Sequence, residues 1–150
     1  MRTGKMPYKS LDYTLRMMAK QVGESVEFAD QFLPLVTTPK EIWFILKDNL
    51  VYKNDPPGVE LLQSFPSLMN DNYWGIPGAG DCDCFTIAAL ACAYARGIPA
   101  RAVIVGNNSE APTHVYAQYL VDGRWIDFDL VSSDYGTTKP YKYRQTLKLH

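Results

Sequence analysis

The order of patterns along this 150-residue sequence predicts an α+β domain, with helices first and antiparallel strands after. Three observations carry that expectation. A helix start with a capping box stands at Thr38, an apolar helix opens on Cys82, and two strand-like runs flank Asp122-Gly123. With 47% hydrophobic residues, the chain is long enough for one core and too short to divide comfortably into two. We therefore expect one domain over 1–150, with a helical N-terminal part (1–50), a core at about 39–130 and a polar, aromatic tail (132–150).

Leu11, Leu15, Met18 and Val22 recur at helical spacing, which predicts an amphipathic helix over 10–22. In "TTPKEIWFILKDNLVY", Thr38 is the N-cap, Pro39 takes the first helical position and Glu41 completes the capping box, so a helix runs from Pro39 to about Leu50. Residues 54–80 carry four prolines and several glycines, which predicts a long loop with one short helix around "VELLQ". Loops of that length in small domains are usually functional. From Cys82 to Arg96 the sequence is apolar almost all round, the mark of a helix buried on most sides, and Gly97 and Pro99 end it.

"RAVIVG" reads as a short buried strand and "GNNSEAPT" as a polar loop. "HVYAQYLVDGRWIDFDLV" reads as a hairpin on a two-residue Asp122-Gly123 turn. That turn pairs Val121 with Arg124, Tyr116 with Asp129 and His114 with Val131. Val115, Ala117, Tyr119, Ile126 and Phe128 then share an apolar face, while His114, Gln118, Trp125, Asp127 and Asp129 share the other. His114 and Asp129 become diagonal neighbours, close enough for an imidazole to meet a carboxylate, with Asp127 one step further away. A slip of one residue would separate them. The tail from Ser132 shows no periodicity that predicts an element.

The chemistry centres on "GDCDCFTIAAL" (80–90). Cys82 opens the buried helix, where unpaired backbone N–H groups and the helix dipole favour a thiolate and can stabilise an oxyanion. Asp81 and Asp83 oppose that charge, so activation falls to His114. Cys82, His114 and Asp129 together supply a nucleophile, a base and an orienting carboxylate. Cys84 points about 200° away around the helix, so we assign it and Cys92 to packing. Cys-x-Cys on a rigid helix chelates poorly and no second cysteine pair exists, so no metal site is expected, and the Cys-x-x-Cys spacing of a redox pair is missing. Of the tryptophans, Trp43 and Trp125 read as packing. Trp74, in the run that leads to Cys82, is the candidate wall of a substrate channel.

These segments also resemble a known family. "GDCDCFTIAALACAYARGIPAR" followed by "THVYAQYLVDGRWIDFDL" is similar to the core of the transglutaminase-like superfamily: Gly-x-Cys opening a buried helix, Gly-Ile-Pro-Ala-Arg, a His opening a strand, and a Trp followed four residues later by Asp. The upstream "EIWFILKDNLVYKNDPP" resembles the helix and Tyr-containing end that precede that cysteine. The resemblance covers about Pro39 to Leu130 and is nearest in style to small bacterial and phage-encoded members. It implies a papain-like arrangement in which the cysteine helix packs on an antiparallel sheet. It also implies a catalytic triad of Cys82, His114 and Asp129, a thioester intermediate and no cofactor. Cys84 departs from it, standing where many members have an acidic residue.

Two functions follow as expectations. In the first, the protein is a thiol enzyme acting on an amide in a protein or peptide substrate, a peptidase or amidase if water takes the thioester and an acyltransferase if an amine does. The alternative is a non-catalytic virion or assembly component that keeps the fold and docks a partner through its tail. A net charge of -1 with scattered basic residues disfavours nucleic acid. No apolar run reaches membrane-spanning length, the N-terminus lacks the apolar region of a signal peptide, and three cysteines form no disulfide framework. The expected location is the cytoplasm, or a host cytoplasm or virion if the chain is phage-encoded.

Overall fold

The computed structural model describes residues 11–108 and 112–150. The first helix, α1 (Leu11–Phe32), runs ten residues past the expected end at Val22. Its buried stripe continues through Ser25 and Ala29, so tertiary packing carries the helix across Gly23, at the roughly 1 kcal/mol that an interior glycine costs. Helix α2 (Pro39–Asn49) starts as expected: the Thr38 hydroxyl accepts from Glu41 N–H while the Glu41 carboxylate accepts from Thr38 N–H. Its buried side is Ile42, Trp43 and Leu46.

Between these helices and the cysteine helix the chain differs from expectation. No helix forms at "VELLQ"; Leu61, Leu62 and Gln63 are all fully buried, which an extended segment inside the protein achieves and one face of a surface helix does not. The short helix, α3 (Phe65–Asn70), begins instead at Ser64, whose hydroxyl caps Ser67 N–H. Two-residue strands β1 (Val51–Tyr52) and β2 (Ala79–Gly80) pair in parallel, setting Tyr52 opposite Gly80. A side chain at position 80 would have its Cβ 2.9 Å from both Cys84 Cβ and Leu68 Cδ1, so glycine is required for α3 and the next helix to close together.

That next helix, α4 (Cys82–Ala95), is buried from Cys84 to Ala93 and packs on α1 on one side and the sheet on the other. The sheet is antiparallel in the order β5-β4-β3-β6, with β3 (Ala100–Gly106), β4 (Pro112–Val121), β5 (Arg124–Phe128) and β6 (Tyr143–Leu147). The turn residues Asp122 and Gly123 both have positive φ (52° and 77°), the conformation that a two-residue hairpin turn demands. The ladder keeps the expected register from Val121↔Arg124 to Ala117↔Phe128, then stops. Asp129 therefore lies one residue beyond the last pair and is not laddered to Tyr116. The loop read as "GNNSEAPT" falls partly outside the described residues.

Strand β6 had no sequence signal. Its central residues Arg144, Gln145 and Thr146 are polar and exposed, so the ladder to β3, rather than apolar alternation, makes it a strand. Ala102, Ile104, Val115, Ala117, Tyr119 and Phe128 join the main core with α4, while Val103, Val105 and Tyr116 form a second cluster against Tyr141 on the far face. The Tyr119 hydroxyl donates to Ala89 O, tying β4 to the middle of α4.

Candidate active site

The seam between α4 and β4 brings the reactive residues together. Thr86 Oγ1 lies 2.7 Å from Cys82 O and 3.2 Å from Val115 O, bridging the first turn of the helix to the strand residue that follows His114. Cys82 and His114 line one cavity of about 440 Å³, with Glu60 and Asp83 on its polar side and Leu15 and Met18 of α1 on its apolar side. That volume suits a small segment of substrate.

His114 Nε2 is 2.9 Å from Asp129 Oδ2, with both side chains largely buried. Once Nε2 is committed to the carboxylate, Nδ1 is the nitrogen left to exchange a proton with a thiol. The imidazole stacks on Tyr116, with centroids 5.7 Å apart, and has Tyr141 at 6.1 Å on a tilted plane. Burial would raise the Asp129 pKa, but hydrogen bonds from His114, from Thr138 Oγ1 at 2.7 Å and from Val131 N–H at 3.0 Å outweigh it. The carboxyl is held below the ordinary carboxylate range. The backbone at Asp129 is fixed as well, since Trp43 Nε1 donates to its carbonyl at 3.3 Å.

Burial pushes the Cys82 thiol well above its ordinary pKa, and the Asp83 and Asp81 carboxyls push it further. Burial and these carboxyls thus oppose the pull of the α4 dipole on the thiol. Around the sulfur stand two carboxyl pairs: Asp81 with Asp55, and Asp83 with Glu60. Burial first, and mutual repulsion second, raise Asp81 and Asp83, and burial raises Asp55 and Glu60. Burial and repulsion thus favour the neutral form of these carboxyls. Among the described residues, Asp55 Oδ1 is buried with no N–H or hydroxyl donor, which fits a proton supplied by Asp81. Leu61 N–H holds its other oxygen at 2.9 Å, and Thr14 Oγ1 donates to Glu60 at 3.3 Å. No group of three or more His, Cys, Asp or Glu side chains among the described residues has the geometry to hold a metal ion.

Tyr52 completes the surround. The β1–β2 bridge places it beside the start of α4, where its ring meets Phe85 edge-on at 5.9 Å. Burial and then the nearby Cys82 and Asp81 groups raise its hydroxyl to about 12, so it stays protonated and able to donate.

The family model for the transglutaminase-like superfamily matches residues 39–130, more than half of the chain. The chain belongs to that superfamily. Its fold is accordingly the papain-like α+β arrangement, with the buried cysteine helix against an antiparallel sheet. Two solved structures share the fold. A candidate protease from Parabacteroides distasonis ATCC 8503 aligns at TM-score 0.60 and 16% identity, covering 90% of this chain and 27% of that one. A candidate cysteine protease from Cytophaga hutchinsonii aligns at TM-score 0.53 and 17% identity, covering 82% and 43%. The chain thus spans less than half the length of either. No curated protein matches it in sequence.

Within this superfamily fold the other residues singled out from sequence fall as follows. Cys84 is fully buried away from the cavity, its thiol donating to Leu61 O at 3.2 Å with Gln63 Nε2 at 3.6 Å, and Cys92 is enclosed in the core. Trp74 does not line the Cys82 cavity; it packs edge-on against Tyr73 with Lys53 Nζ 5.7 Å above its ring. Trp43 is buried under Asp129, and Trp125 carries the Arg101 guanidinium at 4.0 Å. Sequence reasoning missed Tyr52, Glu60 and Thr138. Only Tyr52 left a trace, as the tyrosine after the second helix. Among the described residues no helix is long and apolar enough to cross a membrane.

Proposed function

We propose that the protein is a thiol enzyme that attacks an amide bond in a peptide or protein, with Cys82 as nucleophile, His114 as base and Asp129 as the group that orients it. The observation that carries this reading is the 2.9 Å contact from His114 Nε2 to Asp129 Oδ2 at the edge of the cavity that Cys82 also lines. As Cys82 Sγ bonds to the substrate carbonyl carbon, its proton passes to His114 Nδ1, and Asp129 stabilises the imidazolium. The carbonyl oxygen becomes an oxyanion facing the Cys82 N–H, which as the first helical residue has no intrahelical acceptor. The Tyr52 hydroxyl is the second donor. Collapse breaks the C–N bond, the leaving amine takes the proton from His114, and an acyl thioester remains on Cys82. Water, deprotonated by His114, attacks that thioester and returns the free thiol and a carboxylic acid. An amine entering instead would give a new amide.

Hydrolysis is the reading we favour, because Glu60 and Asp83 give the cavity a polar side that can hold a water molecule. The test is incubation with a mixed peptide library and a labelled primary amine, reading cleavage and amine incorporation in one sample beside Cys82→Ala. Cleavage that vanishes in the variant supports the proposal. Equal cleavage in both proteins overturns the role of Cys82, and no cleavage in the wild type together with a Cys82 thiol no more reactive than a free one leaves the non-catalytic scaffold.

A further inference from the structure

The segment after Asp129, residues 130–142, is strapped over the His114–Asp129 pair. It is anchored at both ends. Lys47 Nζ donates to Leu130 O at 3.1 Å and to Ser132 O at 3.0 Å, and β6 joins the edge of β3. Between the anchors, the Ser132 and Thr137 hydroxyls meet at 2.7 Å and Thr137 Oγ1 donates to Asp134 O at 2.9 Å, which closes the turn. The next residue, Thr138, donates its hydroxyl proton to Asp129 Oδ2, the same oxygen that faces His114 Nε2. Val131 N–H holds Oδ1.

We infer that Thr138 is a positioning residue for the triad: its hydroxyl, with Val131 N–H, fixes the plane of the Asp129 carboxylate so that one lone pair of Oδ2 stays aimed at His114. The inference rests on the triad reading above. Without Thr138, Oδ2 would be held by His114 alone, the group it has to aim at, whereas with it three donors on two oxygens hold the carboxylate plane independently of the imidazole. Thr138 lies outside the 39–130 segment matched by the superfamily model, so this contact comes from the chain's own tail. The other groups around the carboxylate are His114 and Tyr116 of β4, Tyr141 of the strap and Lys47 of α2 near the Leu130 carbonyl. The Tyr116 hydroxyl turns to Asp127 instead, and Lys47 is held by backbone carbonyls.

The experiment is an NMR pH titration of the Asp129 side-chain carboxyl in the full chain, with Asp127 as internal reference and iodoacetamide alkylation of Cys82 alongside. Loss of a donor to the charged form raises a carboxyl pKa, so Thr138→Val should move the Asp129 midpoint up by about one pH unit and slow Cys82 alkylation about tenfold. Thr138→Ser, which keeps the hydroxyl, should restore both, and Asp127 should not move. Thr138→Ala removes the hydroxyl with less bulk and decides the matter if the valine disturbs the β6 amide signals. An unmoved Asp129 midpoint in the hydroxyl-free variants, or a serine variant that behaves like them, overturns the inference. A wild-type Cys82 that alkylates no faster than a free thiol would instead sink the triad reading, and the carboxyl titration would still judge Thr138.

Discussion

Asp129→Asn changes no heavy-atom count, yet the structure predicts a large effect. The carboxylate accepts three hydrogen bonds: His114 Nε2 and Thr138 Oγ1 on Oδ2, and Val131 N–H on Oδ1. An asparagine has one acceptor oxygen and one NH2 group for those three donors. With its oxygen kept on Val131, the NH2 faces Thr138 and His114. Thr138 can turn its hydroxyl to accept, but His114 Nε2 must give up its proton and become the acceptor. The imidazole proton then sits on Nδ1, the nitrogen needed to take the thiol proton. The forced tautomer and the loss of charged hydrogen bonds together cost about 2–3 kcal/mol of stability. Holding the wrong tautomer should lower thiol reactivity by two to four orders of magnitude, the range such triad swaps produce. The assays are urea denaturation and the rate of Cys82 alkylation between pH 5 and 10, with Asp127→Asn as control. Asp127 lies two residues earlier, on β5, but accepts from Gln118 Nε2 at 2.8 Å, so its variant should keep the wild-type profile. If Asp129→Asn alkylates at the wild-type rate, or if Asp127→Asn is the slower of the two, the argument is refuted.

Tyr52→Phe removes the oxyanion donor but keeps the ring on Phe85, so it should cut turnover at least tenfold with the melting temperature unchanged; full activity would remove Tyr52 from the mechanism. Cys84→Ser should keep most activity, since Cys84 points to Leu61 O rather than into the cavity, and equal loss in Cys82→Ala and Cys84→Ser would point to paired thiols. The raised carboxyls bind more protons folded than unfolded once the pH exceeds the unfolded value of about 4, so their contribution to stability falls as pH rises from there toward their raised folded values. Asp83→Asn keeps a donor for Glu60 and should flatten that slope in denaturation midpoints measured from pH 4 to 8. An unchanged slope would show that the pair does not share a proton.

Much of the site was legible because it depends on local periodicity. The Asp122-Gly123 turn fixes the β4–β5 register, and the apolar alternation fixes which face His114 takes; the helix at Cys82 follows from unbroken burial and its N-terminal Asp81. What was illegible arrives through long-range contacts with weak patterns. Tyr52 reaches α4 through a two-residue parallel bridge that no alternation announces, and Glu60 meets Asp83 from an extended segment that looks helical in composition. Thr138 is carried by a strap whose anchoring strand, β6, is polar along its centre. The early end assigned to α1 has a similar cause: the apolar spacing counted there stops at Val22, and the buried stripe beyond it was decided by packing.

The most direct test of the central claim is to quench a reaction of the full chain with a cleaved peptide in acid and locate the bound acyl group by peptide mass spectrometry. The account predicts one acyl adduct, on the peptide that contains Cys82, released by hydroxylamine as a thioester should be, and missing in Cys82→Ala and His114→Ala. An adduct on Cys84, or peptide cleavage that persists in Cys82→Ala, would contradict it.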